Sequence, residues 1–426
     1  MTGPSHLRDS RMFGHLWAED EMRSWFGEST RIRTWLTVYA QIAAAQADIG
    51  AIPAAAADLI TSRCAEMVVD VDAVAARGRE TGHSTAGLVE WLRAAVGPDH
   101  AAYVAIATTV QDVTDNWTAL TLQRAGTLID DDLQAMLTRL RALAARHRDT
   151  PMLGRTHGQP AVPITFGFKL AQWGAQLERH RQRLQAGRPR WECAQLGGSV
   201  GSLAYWGADA PRLLAAFSRR IGLAEPVFAW GSARDCIAEF ATCAGLLSAT
   251  LAQVGNEIYQ LQRPEIGELA EPVTGRQIGS VTMPHKRNPE RSEHLVSLDT
   301  LIRSHMTVLV AGCASEHERD GRAWKVEWIA LPDLCCETTR ATSLARELLD
   351  GLEVDIDRMQ LNIERQQGRV FTEQRIRATA GQLGFPDAYA AARTESGGGG
   401  GPADLAAATV SALALTERWL VTQASA

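Results

Sequence analysis

Residues 101–147 carry no proline and a single glycine, Gly126. Apolar residues recur along the whole stretch, and with so few breakers it reads as one long helix. Comparable runs cover 160–186, 233–263, 289–315 and 322–350. Helices of roughly 25 to 45 residues exceed the usual globular length of about 11–12 and imply a long bundle. Strand-type alternation is almost absent, so the expected class is all-α. Three helical domains are expected: 1–100, 101–345 holding the bundle, and a small one over 346–426. In the first, Ile32, Leu36, Tyr39, Ile42 and Ala45 recur at helical spacing, and further helices are expected over 54–66 and 71–80. The long helices are apolar over more than one stripe, which implies burial against other subunits as well as their own. Gly397-Gly398-Gly399-Gly400-Gly401-Pro402 reads as a flexible linker.

Charge and cysteine usage bound the partners. The net charge is −6 and the pI near 6.0, so no nucleic acid is expected. The seven cysteines are odd in number and contain no Cys-x-x-Cys pair. They suggest reduced thiols in a cytoplasmic protein, with no disulfide framework, metal or cofactor. The first ten residues hold no apolar leader, and no uninterrupted run of 18 apolar residues occurs, so no membrane partner is expected.

The chemistry concentrates in Gly279-Ser280-Val281-Thr282-Met283-Pro284-His285-Lys286-Arg287-Asn288-Pro289, within a loop spanning 275–290. A hydroxyl stands six residues before a lysine and eight before an asparagine. The two prolines keep the segment out of a helix. Gly275 and Gly279 are expected to supply the backbone freedom of a movable lid. A hydroxyl, a cation and an amide on one such segment suit abstraction of a proton beside a carboxylate.

This stretch resembles the signature loop of the fumarase/aspartase superfamily, in wording closest to adenylosuccinate lyases and 3-carboxy-cis,cis-muconate cycloisomerases. Other blocks carry the resemblance along most of the chain. Gly154-Arg155-Thr156-His157-Gly158-Gln159-Pro160 is expected at a helix start, and resembles the block whose histidine contacts a carboxylate and the substrate. Glu293 is the matching carboxylate. Thr108-Thr109-Val110-Gln111-Asp112 resembles the substrate-carboxylate block, with Val110 in place of a serine and Ala105 and Ala107 in place of a histidine and a glycine. Thr81-Gly82-His83-Ser84 resembles the element that supplies an acid for the leaving group. Glu316-His317-Glu318-Arg319-Asp320 offers Arg319 to a substrate anion, and Glu327-Trp328-Ile329-Ala330-Leu331-Pro332 looks like the cycloisomerase branch. Arg234-Asp235-Cys236 departs from the nucleotide-holding element of adenylosuccinate lyases, because Cys236 replaces an arginine. The glycine cluster 197–201 lacks the preceding strand and the lysine of a phosphate cradle.

The resemblance implies β-elimination from a substituted succinate of the amino or nitro type, giving fumarate or a related unsaturated dicarboxylate through an aci-carboxylate. Ser280 is the expected base, and Lys286 and Asn288 stabilise the developing charge. His157, paired with Glu293, orients the substrate, and His83 assists the leaving group. Thr109, Gln111, Thr156, Ser84, Arg319 and Met283 complete the expected substrate contacts. A homotetramer with active sites shared between subunits is implied in the same way. The alternative is a 3-carboxy-cis,cis-muconate cycloisomerase-like lactonising enzyme. An adenylosuccinate lyase fits less well, given Cys236. A non-catalytic structural member would be expected to lose Ser280, Lys286 or His157, and all three are present. Val281 and Val110, where serines are usual, suggest a drier pocket.

Overall fold

The structure is a computed structural model that describes residues 6–273, 275, 279–280, 282–394 and 401–422. Val281 and most of the 397–401 glycine run lie outside the described residues. Among those described, seventeen α-helices dominate and the only sheets are two pairs of strands, so the fold is all-α. The chain divides into two compact units. Unit 1 comprises Met1–Asp130, Gln182–Leu246 and Thr300–Arg340, and unit 2 comprises Asp131–Arg181, Leu247–Asp299 and Ala341–Ala426.

Four helices of the N-terminal part belong to unit 1: α1 (Glu28–Asp48), α2 (Ala54–Glu66), α3 (Val71–Thr81) and α4 (Ala86–Val96). Burial in α1 follows the sequence periodicity, with Ile32, Leu36, Tyr39, Ile42 and Ala45 all inside. Five long helices then appear where breakers are scarce: α5 (Val110–Arg146), α6 (Phe166–Trp191), α7 (Asp235–Gln262), α8 (Glu290–Ala311) and α9 (Gly321–Asp350). By length and composition α7 could cross a membrane, with a mean hydropathy of 1.4 over its most apolar window. That window is 67% buried within the protein, as in the core helix of a globular fold.

Two expected helices start later than the sequence suggests. The run over 101–147 becomes helical only at Val110, because Ala105 and Ala107 adopt φ of 57° and 51°. A left-handed alanine costs roughly 1–2 kcal/mol, so local propensity is overruled here. Ala107→Gly would remove that strain while adding chain entropy to the unfolded state. A net gain of roughly 0.5–1 kcal/mol is expected in denaturant unfolding.

The second late start corrects the reading of 154–160. These residues form a β-hairpin rather than a helix start. Strand β1 (Pro151–Thr156) pairs antiparallel with β2 (Gln159–Thr165), and Thr156 faces Gln159 across the turn. His157 and Gly158 fill that turn with φ of 51° and 74°. Positive φ at both central positions is what a two-residue hairpin loop of matching twist requires. Pro160 and Pro163 are tolerated because a two-stranded ribbon has only edge strands.

Unit 2 also holds the C-terminal helices Ile356–Glu364, Thr372–Leu383, Phe385–Thr394 and Pro402–Thr422. Ile363, Val370 and Phe371 pack on Leu153 of β1, with Leu405 and Ala408 alongside. This small core carries the hairpin.

Candidate active site

In unit 1 the Thr109 block, the glycine cluster and Arg319 form one assembly. Thr109 precedes α5, and its N–H donates back to Asp112 Oδ2 at 2.9 Å. The same buried carboxylate accepts the Gly197 N–H at 2.8 Å and the Gly198 N–H at 3.2 Å. The glycine cluster therefore does cradle an acidic group, and that group is the protein's own Asp112 carboxyl. A side chain at 197 would meet Ala229 Cβ and Gly201 Cα at 2.8 Å, which explains the glycine. The Thr109 hydroxyl is left to accept from Arg319, at 2.8 Å, while Arg319 also donates to the Gly198 carbonyl at 3.0 Å.

Burial pushes the Asp112 carboxyl up to about 7, against the pull of those three N–H donors and Arg319. In the unfolded chain an aspartate titrates near 3.9. Between about pH 4 and pH 7 the folded state therefore binds the extra proton, and stability falls as the pH rises through that window. Asp112→Asn should flatten this part of the stability profile, as read by denaturant unfolding at pH 4.5 and 7.5.

His83 and Ser84 are exposed on the loop after α3, where Gly82 turns the chain at φ 70°. They line a cavity of about 640 Å³ together with Thr109, Val110 and Arg319. Gln111 is buried instead, and its amide donates to the Gly231 carbonyl at 2.6 Å.

Arg234 is only 2% exposed. Its guanidinium donates to Asp115 Oδ2 and Oδ1 at 2.8 and 3.1 Å and to Glu327 Oε1 at 2.8 Å. The Trp230 ring lies 5.1 Å from it. This arginine is committed to the core. Burial pushes both Asp115 and Glu327 above the ordinary carboxylate range, while the two anions hold Arg234 firmly charged.

In unit 2 the signature loop folds back on itself. A Cβ at Gly279 would stand 2.5 Å from the Lys286 carbonyl oxygen, so close approach explains this glycine. Gly275 is the one with positive φ, at 59°. The Ser280 hydroxyl accepts the Met283 N–H at 3.1 Å, and Lys286 N–H donates to the Met283 carbonyl at 3.0 Å. Lys286 and Asn288 line a smaller hollow of about 260 Å³, and Met283 is 42% exposed. Gln262 ties the loop down: its amide donates to the Arg287 carbonyl at 3.0 Å and accepts the Glu271 N–H at 2.7 Å. Glu271 then accepts the Arg291 and Ser292 N–H groups at the start of α8, at 3.1 and 2.7 Å.

The hairpin is pinned behind its tip. Arg155 makes a two-pronged bond to the fully buried Glu268, at 2.9 and 2.6 Å, and Asn362 supplies a third donor at 2.8 Å. Thr156 and His157 are exposed at the tip, and Glu293 is exposed in the first turn of α8. Within the described residues of this chain, no hydrogen bond or ion pair joins His157 to Glu293.

The structure adds residues that the motifs did not single out for the site. Asp112 organises the carboxylate block, with its place in that block as the signal. Gln262 and Glu271 fix the end of the loop; Gln262 lies in the 261–268 block that precedes the signature loop in the resembled family. Among the described residues, no group of three or more His, Cys, Asp or Glu side chains is arranged to hold a metal. All seven cysteines are free.

Comparison with known proteins agrees with this architecture. A family model described as a lyase matches residues 16–302. The chain is 36% identical over 385 residues to an N-acetyl-S-(2-succino)cysteine lyase from Enterococcus italicus, covering 90% of this chain and 84% of that one. It is 37% identical over 344 residues to a nitrosuccinate lyase from Streptomyces davaonensis, covering 78% and 72%. The crystal structure of 3-carboxy-cis,cis-muconate lactonizing enzyme from Pseudomonas putida matches with a TM-score of 0.83 at 35% identity, over 90% of this chain and 86% of that one. With its long-helix fold and its signature blocks, the chain belongs to the fumarase/aspartase superfamily of lyases.

Proposed function

We propose that this lyase performs β-elimination on a C2-substituted succinate, releasing fumarate or a related unsaturated dicarboxylate. The observation that carries this reading is the cavity where Arg319, held by the Thr109 hydroxyl, stands on the same wall as His83 and Ser84. Arg319 and Thr109 offer a charged donor and a hydroxyl to a substrate carboxylate. His83 offers a titratable group for the leaving atom. Gln111 positions this wall through Gly231 rather than touching substrate.

Ser280 is the proposed base for the C–H proton. As the C–H bond breaks, negative charge moves onto the adjacent carboxylate. Lys286 and Asn288 would stabilise it there, with Met283 and Thr156 as flanking contacts. Elimination then breaks the C–X bond, the electron pair leaves with X, and His83 supplies its proton. His157 and Glu293 are exposed and not bonded to each other within one chain, which supports their being completed by other subunits of a homotetramer. The free thiols fit a reducing, cytoplasmic setting.

The test is ultraviolet absorbance during incubation with a panel of substrates. A fumarate-type product absorbs where a saturated succinate does not. The panel is aspartate, nitrosuccinate, a thioether of succinate, adenylosuccinate and 3-carboxy-cis,cis-muconate. Growth of the fumarate band with a substituted succinate supports the reading. Turnover of the carboxymuconate alone would replace it with the lactonising alternative, which the similarity to the Pseudomonas putida enzyme favours.

A further inference from the structure

The signature loop leaves the core at Glu271 and returns at Arg287, and two side chains close its neck. Gln262 bonds both the Glu271 N–H and the Arg287 carbonyl. Arg287 itself reaches back, and its Nη2 donates to the Glu271 carbonyl at 2.7 Å. The same guanidinium makes a two-pronged bond to Glu353, with Nη1 to Oε2 at 3.0 Å and Nη2 to Oε1 at 2.8 Å. Glu353 lies in none of the signature blocks. It opens strand β4 (Glu353–Val354), which pairs antiparallel with β3 (Leu269–Ala270), and Ala270 is its partner across the ribbon. All of these residues belong to unit 2.

That ribbon is a firm anchor. Strand β3 follows directly on Glu268, which is fully buried and holds Arg155 and Asn362. The Glu268 carbonyl accepts the Asp355 N–H at 3.0 Å, just past β4. The anchored stem in turn seats the start of the loop. A Cβ at Gly279 would stand 2.5 Å from the Lys286 carbonyl oxygen and 3.1 Å from Arg287 Cα, so the backbone beside Ser280 rests on the residues that Arg287 fixes. Magnitudes separate this duty from stability. The Arg287 and Glu353 side chains are 43% and 49% exposed, and ion pairs at such exposure add little to folding. A two-pronged contact still fixes direction, because the planar fork of arginine fits a carboxylate in one orientation. Reaction rates respond to direction: a misplacement of about 1 Å at the reacting groups can cost about a hundredfold.

We propose that Glu353 is a positioning residue for the elimination. By orienting Arg287 it sets the neck of the loop, and with it the places of Ser280, Lys286 and Asn288. The inference rests on the reading of Ser280 as the base. Glu353 is remote from the C–H and C–X bonds that break and acts only through Arg287. Without it the guanidinium keeps its bond to the Glu271 carbonyl, and the long side chain regains rotamer freedom. The loop would still form, but it would occupy its working position for a smaller fraction of the time.

The experiment compares the parent with Glu353→Gln, Glu353→Ala, Arg287→Ala and the variant carrying both alanines. Two properties are read. One is kcat and KM, by fumarate absorbance, with the substituted succinate that the parent turns over fastest. The other is amide hydrogen exchange over 282–289 in the absence of substrate. Glu353→Ala is expected to lower kcat by roughly 10- to 100-fold, with KM changed by no more than about threefold. Exchange of the Met283 and Lys286 amides should quicken several-fold, while exchange in the 151–165 hairpin and the thermal midpoint stay near parental. Glu353→Gln, which keeps one acceptor oxygen, should recover part of the rate. In the Arg287→Ala background the Glu353 change should add no further loss, because the two side chains act as one unit. A parental kcat in Glu353→Ala, unchanged exchange over 282–289, or full additivity with Arg287→Ala would each overturn the proposal while leaving the elimination reading standing. No fumarate from any substituted succinate with the parent would instead remove the elimination reading and this assignment with it.

Discussion

Arg234→Ala is expected to destabilise the protein by about 3–5 kcal/mol, read as a shift of the denaturant midpoint. The arginine serves two carboxylates, Asp115 and Glu327, and all three side chains are almost fully buried. Removing the single cation leaves two anions facing each other in a medium that hydrates neither. Both are already pushed above the ordinary carboxylate range by burial, and the loss of Arg234 raises them further. A carboxyl whose folded value lies above its unfolded value near 4 favours the folded state in acid and loses that advantage as the pH rises. The deficit of the variant should therefore be smallest near pH 4–5 and largest at neutral pH. Replacing all three groups with apolar residues of similar size should recover most of the loss, because an absent network leaves no uncompensated charge. A variant as stable as the parent at neutral pH would show that the three groups contribute nothing.

Ser280→Ala is expected to reduce turnover by about 10²–10⁴-fold, the range of a positioned acid–base group, with substrate binding changed only a few-fold. The serine has a structural duty too, since its hydroxyl accepts the Met283 N–H. Losing one such bond at a half-buried site is worth only about 0.5–1.5 kcal/mol. That is too small to account for a loss of several orders of magnitude in rate. Thermal unfolding measured beside kcat separates the two contributions. A near-parental kcat in Ser280→Ala would mean that another group takes the proton.

The long helices were legible because proline and glycine are so rare across them, and the length of each apolar run follows directly. The late start of α5 was not. Alanine is the best helix former, and nothing local marks Ala105 and Ala107 as left-handed. Only their place beside the Asp112 cradle, where Ala107 O comes within 3.4 Å of a Cβ built on Gly198, makes the turn necessary. The hairpin is hidden in the sequence for a related reason. Pro160 suits the first turn of a helix as well as an edge strand, and the length of the run over 160–186 favoured the helix. Of the chemistry, residue types were legible and facing was not. The Thr109 block announced a carboxylate site, yet Gln111 turns into the core while Arg319, far along the chain, takes the exposed position.

The hairpin tip carries one more consequence, for how this segment tolerates change. His157 owes its direction to a two-residue turn and to the pairing of Thr156 with Gln159, with a register shift near Gly154 absorbing the irregularity below. The imidazole is aimed by counting residues, so what is constrained here is length. One residue inserted or deleted between 154 and 160 would turn the strand that follows to its other face and take the imidazole with it. Asparagine or glycine at 157 would keep the turn and lose only the ring, whereas alanine would disturb both. Variation among natural relatives should accordingly appear in this hairpin as substitutions and almost never as gaps.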